Sequence, residues 1–197
     1  MSWYKQAQSF KFHKFANEIE DFLTQISTLR SGNTRPVDFV YENPEDFVLQ
    51  HGKHFVSEPM TQEEMTFLKT LAARTKHYKM KQCFYNAQSL AHISSQIKYI
   101  EGYLLSSLFP IQHAWNSLNG KVLDFTISHA NKGNPVLGEI PQGWDYFGVE
   151  LSTPMIMKYW RETETSGPLI DNWQQKFPLL KQPFKTEETE ETDNDLA

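Results

Sequence analysis

The dipeptide Asn119-Gly120 constrains this chain more tightly than any other two residues. It separates two apolar-rich runs, Ile111–Leu118 and Lys121–Ile127. Asn-Gly is the pair best able to take the left-handed backbone that a two-residue hairpin turn demands. A two-residue loop also fixes the register. Leu118 faces Lys121, Trp115 faces Asp124, and His113 faces Thr126. Opposed residues share a face, and alternation puts His113 on the face of Trp115. Asp124 is then a diagonal same-face neighbour of His113. Such pairs lie about 7–8 Å apart at Cα, a gap that an imidazole and a carboxylate can span.

Cys83, the only cysteine, lies upstream. Phe84, Ala87, Leu90 and Ala91 recur behind it at helical spacing, so the sequence predicts a helix that begins at the thiol. The N–H groups and partial positive charge of a helix start favour a thiolate. Ile97 to Leu104 reads as a strand leading into the hairpin. Alone, a cysteine on an apolar helix face is usually an inert core residue. A lone histidine is usually structural, and an aspartate beside a turn is usually on the surface. Together they have the logic of an activated cysteine nucleophile, with His113 as base and Asp124 as its orienter.

At this point the sequence resembles a family. Cys83-Phe-Tyr-Asn-Ala87, Tyr99-Ile-Glu-Gly-Tyr103, His113-Ala-Trp115 and Asp124-Phe-Thr126 resemble, in order and spacing, the transglutaminase-like core related to papain-like cysteine hydrolases. The resemblance covers about residues 76–127. It departs from the family pattern at Asp124-Phe-Thr126, where Asp-Pro-Thr is usual. It departs again at Lys79-Met-Lys-Gln82, where a glycine often precedes the nucleophile.

The resemblance implies an α+β fold with a Cys-bearing helix packed on a small antiparallel sheet, plus additional N-terminal helices. It also implies transglutaminase, peptidase or amidase chemistry. Cys83 would attack an amide or peptide carbonyl, and water or an amine would resolve the thioester. Hydrolysis is the favoured outcome and transamidation the variant. The Cys83 N–H is the expected oxyanion donor. Gln82, Tyr78 and His77 are candidates for the second, and Trp115 is placed to shield the base. The alternative is a catalytically silent fold that serves as a protein-binding module. No cofactor is expected. Cys83, His113, His129 and Asp124 lack the Cys-x-x-Cys or His-x-x-x-His spacing of a zinc site.

The 197 residues are one domain's worth, and with 39% apolar and 22% charged residues they suffice for a real core. We expect a single globular domain over 1–184, its transglutaminase-like core spanning about 60–160. Glu187, Glu188, Glu190, Glu191, Asp193 and Asp195 crowd an acidic tail, 185–197, expected to be disordered. Setting those six charges aside from the net −5 leaves the body near +1, which argues neither for nor against nucleic acid. Arg74, Lys76, Lys79 and Lys81 form a basic approach to Cys83, too few to specify nucleic-acid binding. The expected partner is a protein, a peptide or a small amide. No run reaches the roughly 18 apolar residues of a membrane helix. No signal peptide is evident, and one cysteine suits a reducing cytoplasm.

Further helices are predicted over 13–29, from Asn43-Pro44 to His51, and from Thr61 to about Thr75. The third opens with a capping box, Thr61-Gln-Glu-Glu64, and its Met60/Met65 staple. Val37–Tyr41 alternates like a short strand. Residues 128–143, rich in Gly and Pro, read as a long loop and a candidate lid. Trp144–Val149 reads as a last strand. A helix follows from Ser152-Thr-Pro154, and 167–184 reads as an aromatic wrap.

Overall fold

The structure, a computed structural model, describes residues 18–31, 36–72, 79, 81–106, 108–127 and 132–185. In chain order its elements are α1 (Glu18–Ser31), α2 (Pro44–His51), β1 (Lys53–His54), α3 (Gln62–Ala72) and α4 (Cys83–Ile93). Then come β2 (Lys98–Leu105), β3 (Ile111–Leu118), β4 (Lys121–Asp124), β5 (Val136–Leu137), β6 (Asp145–Leu151) and α5 (Thr153–Thr163). Two 3-10 turns, Trp173–Gln175 and Pro178–Lys181, close the described chain. Among the described residues the fold is α+β: five helices and one open antiparallel sheet in the order β1-β6-β2-β3-β4-β5.

The turn behaves as its chemistry demands. Asn119 and Gly120 both have positive φ, 52° and 79°, and the register runs Leu118↔Lys121, Ser117↔Val122, Asn116↔Leu123. The capping box also forms. Thr61 N–H donates to Glu64 Oε2 (2.7 Å), and Glu64 N–H donates to Thr61 Oγ1 (3.2 Å). The same carboxylate accepts from the Asn119 amide and the Lys121 ammonium, each at 2.9 Å. Helix α3 is thereby fastened to the hairpin turn. At α2, Asn43 caps with its side-chain oxygen on Asp46 N–H, and Pro44 opens the helix.

One face of the sheet carries Tyr99, Tyr103, Ala114, Phe147 and Val149, covered by Ile19 and Leu23 of α1, Phe47 of α2, Ala87 of α4 and Ile156 of α5. The other carries Ile100, Leu104, Trp115, Val122 and Tyr146, packed with Phe55 and Val136. Alternation in β3 places Ala114 and Asn116 under α4. Asn116 donates to Ala87 O and Lys98 O (2.8 and 3.1 Å), pinning the helix to two strands.

Three expectations are corrected. Val37–Tyr41 is not a strand. Phe39 N–H turns back to Pro36 O, and Val40 N–H bonds Leu180 O, so the segment packs against the C-terminal turns instead of a ladder. The run after the hairpin turn ends at Asp124, not Ile127, because Asp124 Oδ1 accepts the N–H groups of Thr126 (2.9 Å) and Ile127 (3.3 Å). The region 128–143 is not simply a loop. Val136 and Leu137 pair with Asp124 and Leu123 as an edge strand too short to carry a periodic signal. Residues 128–131 of the candidate lid, the chain before Glu18 and the acidic tail from 186 lie outside the described residues.

Among the described residues no helix is long and apolar enough to cross a membrane.

Candidate functional site

The hairpin and α4 converge on one histidine. His113 Nε2 lies 2.6 Å from Asp124 Oδ2, across the diagonal that the register predicts. Both side chains are buried, His113 at 4% exposure and Asp124 at 1%. The bond to Asp124 occupies Nε2 and leaves Nδ1 for a second partner. Burial disfavours the charged ring. Asp124, by charge and hydrogen bond, outweighs it, and the Cys83 sulfur adds to the effect, raising the His113 pKa to about 10. Cys83 itself is half-buried at the first position of α4. The structure thus brings Cys83, His113 and Asp124 into one cluster.

At the start of α4, Gln82, exposed at the cap position, makes no side-chain capping bond among the described residues. The Gln82 backbone accepts from Asn86 N–H (3.0 Å) and donates to Lys79 O (3.2 Å). Lys81 just before it has φ 60°, a left-handed conformation that costs an L residue about 1–2 kcal/mol. A glycine would take that conformation without strain. Of the basic approach, Lys79 Nζ sits 4.0 Å from the centroid of the Tyr85 ring. Arg74, Lys76, His77 and Tyr78 fall outside the described residues, and so does His129. Among the described residues no group of three His, Cys, Asp or Glu side chains could hold a metal.

Trp115 stacks on His113, ring centroids 6.2 Å apart and planes within 15°. It is 1% exposed, so it covers one face of the imidazole and is closed to solvent itself. Its Nε1 is buried without a hydrogen-bond partner among the described residues, at a cost of about 1–3 kcal/mol. Gly148 makes room for it: a Cβ there would come within 2.6 Å of Trp115 Cη2. Gly102, paired with both His113 and Gly148, is equally constrained, since a Cβ would strike the β6 backbone.

Two further residues, which the sequence pattern does not single out, join this cluster. Asn86, one turn into α4, accepts from Lys79 N–H (2.8 Å) and donates to Lys79 O (2.8 Å) and Thr126 Oγ1 (2.9 Å). It fastens the approach to Cys83 onto the turn beyond Asp124. Its signal was available, because a mid-helix asparagine is a poor helix former that usually answers to a polar contact. Tyr146, on β6, donates its hydroxyl to Asp124 Oδ2 at 3.1 Å. No local pattern announces it, since β6 is remote from the hairpin in sequence. Comparison with family models, with curated proteins and with solved structures finds no match.

Proposed function

We propose that this chain is a cysteine acyl-transfer enzyme of the transglutaminase-like type, hydrolysing an amide or peptide bond through a thioester on Cys83. The observation that supports it best is the buried imidazole of His113, bonded at Nε2 to Asp124 and flanked by the Cys83 sulfur. His113 takes the thiol proton, and the sulfur attacks the acyl carbon to form a C–S bond. The charge on the carbonyl oxygen is met by the N–H of Cys83 at the first position of α4. The imidazolium returns its proton to the nitrogen that leaves. Water, deprotonated by His113, then cleaves the C–S bond, and the thiol regains its proton. An amine in place of water gives transamidation.

A second reading, a silent fold used as a protein-binding module, draws on the exposed apolar side chains of Leu108, Phe109 and Ile111 beside the start of β3. One experiment separates the two. With p-nitrophenyl acetate, intact-mass analysis should find an acetyl group on Cys83. His113→Ala should slow its formation by about a hundredfold or more. Loss of the adduct in buffer marks a hydrolase, and faster loss on adding an amine marks a transferase. No acetylation of Cys83, or acetylation indifferent to His113, would leave the binding module.

A further inference from the structure

We propose that Tyr146 is a positioning residue of this centre, its hydroxyl holding the Oδ2 atom of Asp124 and setting how strongly that oxygen grips His113; the inference rests on the acyl-transfer reading above. The geometry is specific. Asp124 Oδ1 is occupied by the N–H groups of Thr126 and Ile127, which anchor the carboxylate to its own turn. Oδ2 alone faces the site, and it accepts from two donors, His113 Nε2 at 2.6 Å and Tyr146 Oη at 3.1 Å.

Tyr146 has no exposed surface. It is wedged in place by aromatic contacts, 5.1 Å to Trp115 and 6.5 Å to His113 between centroids. Its backbone is set opposite Leu104 by the β2–β6 ladder, independently of the hairpin that carries His113 and Asp124. Burial first, then the charge and hydrogen bond of Asp124, hold its pKa well above the usual phenol value, so it remains a donor throughout the working pH range.

An acceptor shared between two donors gives less to each. The Tyr146 hydroxyl therefore moderates the hold of Asp124 on the imidazolium. His113 must both take a proton and give it to the leaving nitrogen, and a ring gripped too tightly keeps it. Among the described residues, the titratable groups facing His113 are Asp124 and Cys83, with Tyr146 behind the carboxylate.

The test follows the His113 ring by NMR titration, its resonance identified by its loss in His113→Gln. In Tyr146→Phe, Oδ2 loses its competing donor while the amides keep Oδ1 anchored. The proton affinity of His113 should then rise about threefold or more, and acetyl transfer from p-nitrophenyl acetate should slow with its pH profile displaced upward. Should that variant not fold, 3-fluorotyrosine placed at position 146 supplies a stronger donor of nearly the same shape, and the titration should move downward. An unmoved titration, or a downward move in Tyr146→Phe, overturns the proposal. Failure of the acyl-transfer reading is distinct: no acetyl group reaches Cys83 even in the unaltered protein.

Discussion

The pairing of His113 with Asp124 sets the pH behaviour expected of this fold. Against the burial that opposes it, Asp124 holds the ring's pKa up at about 10 in the folded protein, well above the value of about 6.5 in an unfolded chain. A raised basic group stabilises the fold fully below the unfolded value, and that contribution disappears as pH rises through the folded one. Asp124→Asn should therefore destabilise by about 3 kcal/mol at pH 6, where it strands a buried charge. The deficit should shrink towards pH 10. Urea unfolding of both proteins at the two pH values checks this, and a constant deficit would contradict it. This pair was legible in the sequence because one turn fixed both partners: Asn119-Gly120 set the register, and Asp124 lies eleven positions after His113. Tyr146 was not legible, because its contact depends on β6 entering the sheet beside β2, a choice made by packing over the whole chain.

At the scale of elements, α3 and the hairpin act as one unit. Glu64 closes the capping box and also holds Asn119 and Lys121. The hydrogen bond from Asn119, followed by those from Thr61 N–H and Lys121, keeps its pKa down at about 2. A depressed carboxylate stabilises the fold above its unfolded value, near 4.5, and the contribution is lost as pH falls through the folded one. Glu64→Gln should cost about 2 kcal/mol at neutral pH and much less near pH 2, read from thermal or urea unfolding across that range. Equal costs at both ends would show that the charge is irrelevant. The box itself was visible as Thr61-x-x-Glu64, since capping is decided within four residues. Its reach to the turn was not. Val37–Tyr41 shows the converse failure: an alternating pattern is necessary for a strand, but a strand also needs a partner, and Leu180 O took the donor instead.

Over the whole molecule, the hairpin, α4 and the C-terminal segment form a continuous set of polar contacts across the helix-covered face. From α4, Gln88 bonds Tyr99 Oη (3.1 Å), Gly167 O (2.7 Å) and the Trp160 indole (2.8 Å). Glu101 accepts from Tyr99 and from the N–H groups of Leu169 and Ile170, yet burial outweighs those donors and pushes its pKa up to about 7. The wrap that the sequence predicted for 167–184 is thus tied to the strands flanking the site. The elements that bear Cys83, His113 and Asp124 were readable because they are contiguous in the chain. The sheet order that surrounds them was not, since β6 joins its neighbours from some forty residues further along. Whether Cys83 and His113 act as a pair is read from the rate of Cys83 alkylation by iodoacetamide from pH 4 to 9 in the native protein and in His113→Ala. The pair predicts alkylation that persists below pH 7 and collapses there when the imidazole is removed. A native rate that climbs only as a free thiol ionises, with a midpoint near about 8.5, and that coincides with the His113→Ala curve, would contradict it.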